Sequence, residues 1–186
     1  MVAGDLCSKS MVTISQVRRI LLGATFEFGF EEISRAYRTT LKAHAEQESS
    51  IETIVRKRYG LTPEEAAPEV VYDEQGQPSS DFWAEVGEFK DEAESTTRIV
   101  RSAFLIALFH FWERHSNRWV RRETYHHDTV MTWLKDQGYV PNEPLLKTLE
   151  LAANCVKHGP GRSCTDLFAR RPDLFDQGNY PPLSGV

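Results

Sequence analysis

IVRSAFLIALFHFWERHSNRW, residues 99–119, is the most hydrophobic run of the chain. From Ala103 to Phe111 apolar side chains fall on nearly every side of a helical wheel, as in a central helix buried by several neighbours. Toward Trp119 the pattern turns amphipathic again. Read upstream, the same helix extends back to Phe82, with Ser80 or Asp81 as its cap; read downstream, it runs to about Arg121. A helix of that length at the centre, with no convincing alternation of strands and no internal repeat elsewhere, gives an all-α fold. We expect a helical bundle of about four main helices with additional short helices.

The flanking segments supply the partners. Ile14, Val17, Ile20, Leu21 and Ala24 recur on one helical face after Thr13, a plausible N-cap. Gly23 and Gly29 weaken that helix and place a break near Phe26–Gly29. A longer, more polar helix follows over 30–59, with Ile33, Tyr37, Leu41, His44, Ile51, Ile54 and Val55 as its stripe and Gly60 as its stop. Residues 61–80 read as an acidic loop containing Pro63, Pro68, Gly76 and Pro78, in which only Val70, Val71 and Tyr72 suggest a short strand. Residues 124–138 read as another helix, with Val130, Met131, Trp133 and Leu134 inward and Gly138 ending it. Residues 1–12 and 176–186 look like flexible ends around a single helical domain over 13–175.

The 186 residues suffice for one domain with a sizeable core and are marginal for two. A net charge of −5 argues against a general electrostatic nucleic-acid binder. The charge is nevertheless uneven: Lys90 is the lone base among the many acids between Thr62 and Glu94, whereas Arg114, Arg118, Arg121 and Arg122 crowd one short run. Cys7, Cys155 and Cys164 form neither a disulfide framework nor a zinc spacing, which points to reduced thiols in a cytoplasmic protein. Cys155 and Cys164 read as small core residues. No apolar run approaches the roughly 20 residues that span a bilayer, and the N-terminus lacks a secretory layout.

Chemistry concentrates in PLLKTLELAANCVKHGPGRSCTDLFARRPDLF, residues 144–175. Leu146, Leu149, Ala153 and Val156 make an amphipathic helix that stops at Gly159-Pro160-Gly161, where a glycine suits a left-handed cap. Ser163 with Asp166 reads as the capped start of the next helix. Asn154, Lys157 and His158 share one face of the closing turns. Histidine is the usual acid or base near neutrality, and a neighbouring cation can stabilise a developing phosphorane. That set suits metal-free RNA cleavage. The alternative is a capping cluster, since Lys and His complement the negative helix end.

Glu113 follows a run of large apolar residues and needs a partner: Arg114, Arg118, Asn154 or His158. Arg114, Arg118 and Arg121, with Trp119 and Tyr125, offer phosphate contacts and base stacking, or merely a solvated face. Arg162, Arg170 and Arg171 lie one tight turn from His158. His126 and His127 point to different sides of a helix, and no HExxH or CxxC accompanies them, so no metal is assigned. No P-loop or dinucleotide-binding glycine pattern is present, and no cofactor is expected.

A hydrophobic helix ending in glutamate (LFHFWERHSNRW) followed by a late helix ending ANCVKHG resembles the HEPN superfamily. Within it the chain is most similar to a bacterial group with a late NxxKHG…RPDLF signature. The resemblance covers roughly residues 80–175. It implies an all-helical, metal-independent RNase that works as a dimer in toxin–antitoxin or phage-defence systems. The family motif is Arg-Asn-x-x-x-His. Asn154 and His158 match it, Ala153 replaces its arginine, and Lys157 stands beside His158 as a substitute cation. Glu113 matches an acidic residue on the preceding core helix. The roles implied are His158 as general acid/base, Lys157 as phosphate-stabilising cation, Asn154 as positioning donor and Glu113 as orienting carboxylate. The missing arginine leaves open a non-catalytic interaction module or an antitoxin-like partner subunit.

Overall fold

The computed structural model describes residues 14–175, with side chains from Ile20 onward. The expected cap Thr13, the thiol Cys7 and both ends (1–12 and 176–186) lie outside the described residues. The fold is all-α: α1 (Ile14–Arg58), a two-strand hairpin of β1 (Val71–Tyr72) and β2 (Pro78–Ser80), α2 (Phe82–Val120), α3 (His127–Asp136), α4 (Glu143–His158) and α5 (Arg162–Arg170). A short 3-10 turn over Pro172–Leu174 follows. Among the described residues no helix is long and apolar enough to cross a membrane.

α1 and α2 form a long antiparallel hairpin. Phe26 meets Phe111 and Trp119, Tyr37 meets Phe104, and Tyr59 meets Phe82. The expected break at Phe26–Gly29 does not occur, and α1 runs through it unbroken. Gly29 is there for contact rather than for bending: a Cβ on it would lie 2.5 Å from Cε2 of Phe111. The close approach seats the Phe26 ring 5.3 Å from Phe111 and 6.0 Å from Trp112, and that burial carries the helix past its weak residues.

Because Phe26 already faces Trp119, one residue short of the end of α2, the first turns of α1 run past the end of α2, with no other element opposite among the described residues. Ile20 and Leu21, expected inward, are therefore exposed, as is Ala24. Farther along the stripe Ile51 and Val55 are buried, while Ile54 sits off its edge and is exposed.

Two apolar clusters hold the hairpin. At the turn end Ile51, Val55, Phe82 and Val86 pack with Tyr59, Leu61 and Phe89. Arg56 fastens the loop there, its guanidinium 2.9 Å from Glu52 and 2.8 Å from the Glu65 carbonyl. α1 stops at Gly60 (φ 69), with the Leu61 amide donating to the Arg56 carbonyl at 2.9 Å. The acidic loop then forms the β-hairpin, whose turn is organised by Asp73: its Oδ1 accepts from the Gln75 and Gln77 amides at 2.9 and 2.8 Å. Asp81 caps α2 by accepting from the Ala84 amide at 3.0 Å.

At the other end Phe109, Trp112, Val130, Met131, Leu134 and Ala153 form the larger cluster, joining α2, α3 and α4. Trp133, expected inward, is partly buried against it. α3 begins three residues later than the expected 124. Tyr125 is drawn toward α2, accepting from the Trp112 indole at 3.1 Å and packing on Phe109, so the backbone stays extended through His126. The expectation that α2 is covered on every side around Ala103–Phe111 is corrected: Ile99, Ala103, Ala107 and His110 are exposed. α1, α3 and α4 pack against the sides that carry Phe109, Phe111 and Trp112 and leave this one open.

Candidate functional site

α4 starts at Asn142, whose Oδ1 accepts from the Leu145 amide at 3.1 Å. Leu151 and Ala153 are buried and Leu146 and Leu149 pack on the core, whereas Val156, expected on the inner face, is exposed. The helix ends at His158, and Gly159 turns the chain with φ 74 and ψ −162. That is a backbone region closed to side chains with a Cβ, stricter than the left-handed cap the sequence suggested. α5 begins at Arg162 behind Gly161, with no side-chain cap. Ser163 thus lies inside the helix instead of capping it, and Asp166 approaches Arg162 at 3.8 Å.

The turn is also closed covalently. Cys155 and Cys164 form a disulfide with their Cα atoms 4.8 Å apart. This overturns the expectation of reduced thiols for the pair. Gly159-Pro160-Gly161 folds α5 back on α4, so residues nine apart in sequence come to face each other, a closeness that spacing alone does not reveal. Cys164 is nonetheless part of the buried surface, as is Leu167 beside it on α5.

On this frame His158 and Lys157 are both exposed and Asn154, one turn earlier, is partly buried. Among the described residues none of the three side chains forms a hydrogen bond or ion pair. Ala153, at the motif's arginine position, is only 3% exposed among Phe109, Trp112 and Val130. Its Cβ points into the core, where a guanidinium would have no room and no partner. Glu113 pairs with none of its expected partners; its Oε2 lies 3.1 Å from Nδ1 of His110, one turn back on α2.

The arginines divide into three kinds. Arg171 is committed to Asp173 through a two-pronged contact at 2.8 and 2.7 Å, which holds the Asp173 carboxyl below the usual carboxylate range. Arg162 is exposed beside the His158 turn, and Arg170 is exposed at the far end of α5. Arg114, Arg118 and Arg121 are exposed along α2, Arg121 as its left-handed cap with φ 56. The stacking surface expected at Trp119 and Tyr125 is not open: Trp119 stacks on Trp133 at 6.2 Å and against Phe26, and Tyr125 is held between Trp112 and His127.

That last contact belongs to a polar chain that no spacing of residues announces. Tyr125 Oη lies 3.1 Å from Nδ1 of His127, which is 3.5 Å from Glu150, itself 3.0 Å from Lys147. It ties α2, α3 and α4 together. Burial, and the carboxylates of Glu150, Glu113 and Asp128, push the Tyr125 phenol up against a lowering by the Trp112 hydrogen bond. His126, by contrast, is exposed, and among the described residues no three His, Cys, Asp or Glu side chains gather as a metal site.

His115 is the other buried titratable group. It is 6% exposed, with its ring 4.3 Å from Phe111, and its Nδ1 has no partner among the described residues. Burial first, then Arg118 and Arg114, hold it below its ordinary value. Compared with family models, curated proteins and solved structures, the chain matches none.

Proposed function

We propose that the chain is a HEPN-like, metal-independent endoribonuclease of a toxin–antitoxin or phage-defence system, with the closing turn of α4 as its reactive surface. The observation that carries this is the adjacency of His158 and Lys157, exposed and without a partner among the described residues, on a helix end locked by a disulfide. Solvated side chains with no competing partner, carried on a fixed backbone, are available to a ligand. In this reading an imidazole takes the proton from an RNA 2′-hydroxyl and the oxygen attacks its own phosphate. Lys157 stabilises the charge on the phosphorane, and a second acid protonates the departing 5′-oxygen. One chain offers one such histidine, so the second comes from another copy. Asn154 positions the phosphate, and Arg162 and Arg170 contact the flanking backbone. Glu113 is left out because His110 holds it.

The test is incubation of wild type and His158→Ala with RNA in chelator. Fragments from the wild type alone, with both proteins equally folded, support the reading; equal cleavage by both removes His158 from it. Loss of at least about a hundredfold is expected for a general acid or base. The burial of Ala153 favours a second reading, a non-catalytic interaction module, in which neither protein cleaves.

A further inference from the structure

The open side of α2 is patterned. At spacings of four and seven its exposed positions run from Glu88 and Glu92 through Ile99, Ala103 and Ala107 to Arg114 and Arg118, with partly buried Thr96 and exposed His110 in the two gaps. Ile99 is 66% exposed, and it lies in the part of the chain where the sequence most demands burial. Acid therefore stands at one end of the stripe and base at the other, with mostly small or apolar residues between. Among the described residues none of Glu88, Glu92, Arg114 and Arg118 forms an ion pair within the chain, so these charges are unspent.

Such a stripe is complementary to itself when reversed. We infer that a second copy of this chain docks on it, the two α2 helices antiparallel across a two-fold axis at Ala103. In that register Glu92 of one copy meets Arg114 of the other, and Glu88 meets Arg118. Ile99 packs on Ala107, and Ala103 meets its own counterpart on the axis. Alanines at the crossing let the helix axes approach to about 8 Å, and a shallow crossing keeps the outer pairs, spread over about 45 Å of helix, in reach of each other. A parallel pair would set Glu against Glu and Arg against Arg; the reversed pair is the self-matching contact of a two-fold dimer. It assigns Arg114 and Arg118 to the partner rather than to RNA. This inference does not rest on the cleavage reading: association is measured without RNA, so the two can fail separately.

The experiment is analytical ultracentrifugation of the full chain, of E88R/E92R and of R114E/R118E. The wild type should sediment as a dimer whose dissociation constant rises with salt. Each variant carries like charges at both ends of the stripe and should dissociate at least about tenfold more readily, with unchanged circular dichroism, because all four positions are exposed. Mixed in equal amounts, the two variants should form a heterodimer. In a Cys7→Ser background, Ala103→Cys should cross-link two copies under mild oxidation. A wild type that stays monomeric at its highest soluble concentration, or either variant dimerising as tightly as the wild type, would overturn the inference.

Discussion

Gly23 and Gly29 lie six residues apart in α1, yet replacing them with alanine should move stability in opposite directions. In a helix interior alanine is favoured over glycine by about 1 kcal/mol, because glycine loses more backbone freedom on folding. At Gly23 a Cβ would meet nothing within 4 Å, so Gly23→Ala should collect that gain. At Gly29 the same atom would lie 2.5 Å from Cε2 and 2.7 Å from Cζ of Phe111. The ring cannot swing aside cheaply: it is buried, 5.3 Å from Phe26 on one side and 4.3 Å from His115 on another. Overpacking of this kind costs about 1–3 kcal/mol. Gly29→Ala should therefore be destabilising by up to about 2 kcal/mol once the propensity gain is subtracted. The difference between the two variants isolates the packing cost. For a chain of this size each kcal/mol moves the melting temperature by about 2–4 °C. Thermal melts followed at 222 nm would place Gly23→Ala above the wild type and Gly29→Ala below it. Phe111→Leu, which trims the ring, should restore part of the loss in the Gly29→Ala background. If Gly29→Ala melts as high as Gly23→Ala, the close approach of α1 and α2 at this point is wrong.

Gly159→Val should cost about 1–3 kcal/mol, since φ 74 with ψ −162 is closed to a β-branched residue; an unchanged melt would refute the backbone path after His158. Opening the Cys155–Cys164 bridge, by reductant or by Cys155→Ser, should destabilise by about 2–3 kcal/mol, the loop entropy of a nine-residue closure. Hydrogen exchange should then rise first around residues 157–163. His115 is held below its ordinary value in the fold, so the unfolded chain binds the proton more readily. Its contribution is present in full above about pH 6.5 and is lost as pH falls below that toward the folded value. In His115→Phe the dependence of melting temperature on pH in that window should flatten; an identical slope would place the titrating group elsewhere.

Much of the helical framework is legible in residue order. Hydrophobic periodicity places α2, α4 and most of α1 and α3, and capping chemistry marks helix ends at Gly60, Asp81, Gly138 and Gly159, because helix signals act over three or four residues. The candidate trio on α4 is legible for the same reason: Asn154, Lys157 and His158 share a face by helix geometry alone. What residue order could not supply depends on which helix lies opposite which. Gly29 reads as a breaker until Phe111 is placed against it. Tyr125 reads as helical until Trp112 draws it away. Cys155 and Cys164 read as separate thiols until the Gly-Pro-Gly turn brings them together, and Glu113 finds His110 rather than the residues beyond the core. The hydrophobicity of residues 99–119 specifies that α2 be covered on all sides; only the tertiary structure decides which side the chain leaves open, because burial is settled by long-range packing and not by the local sequence.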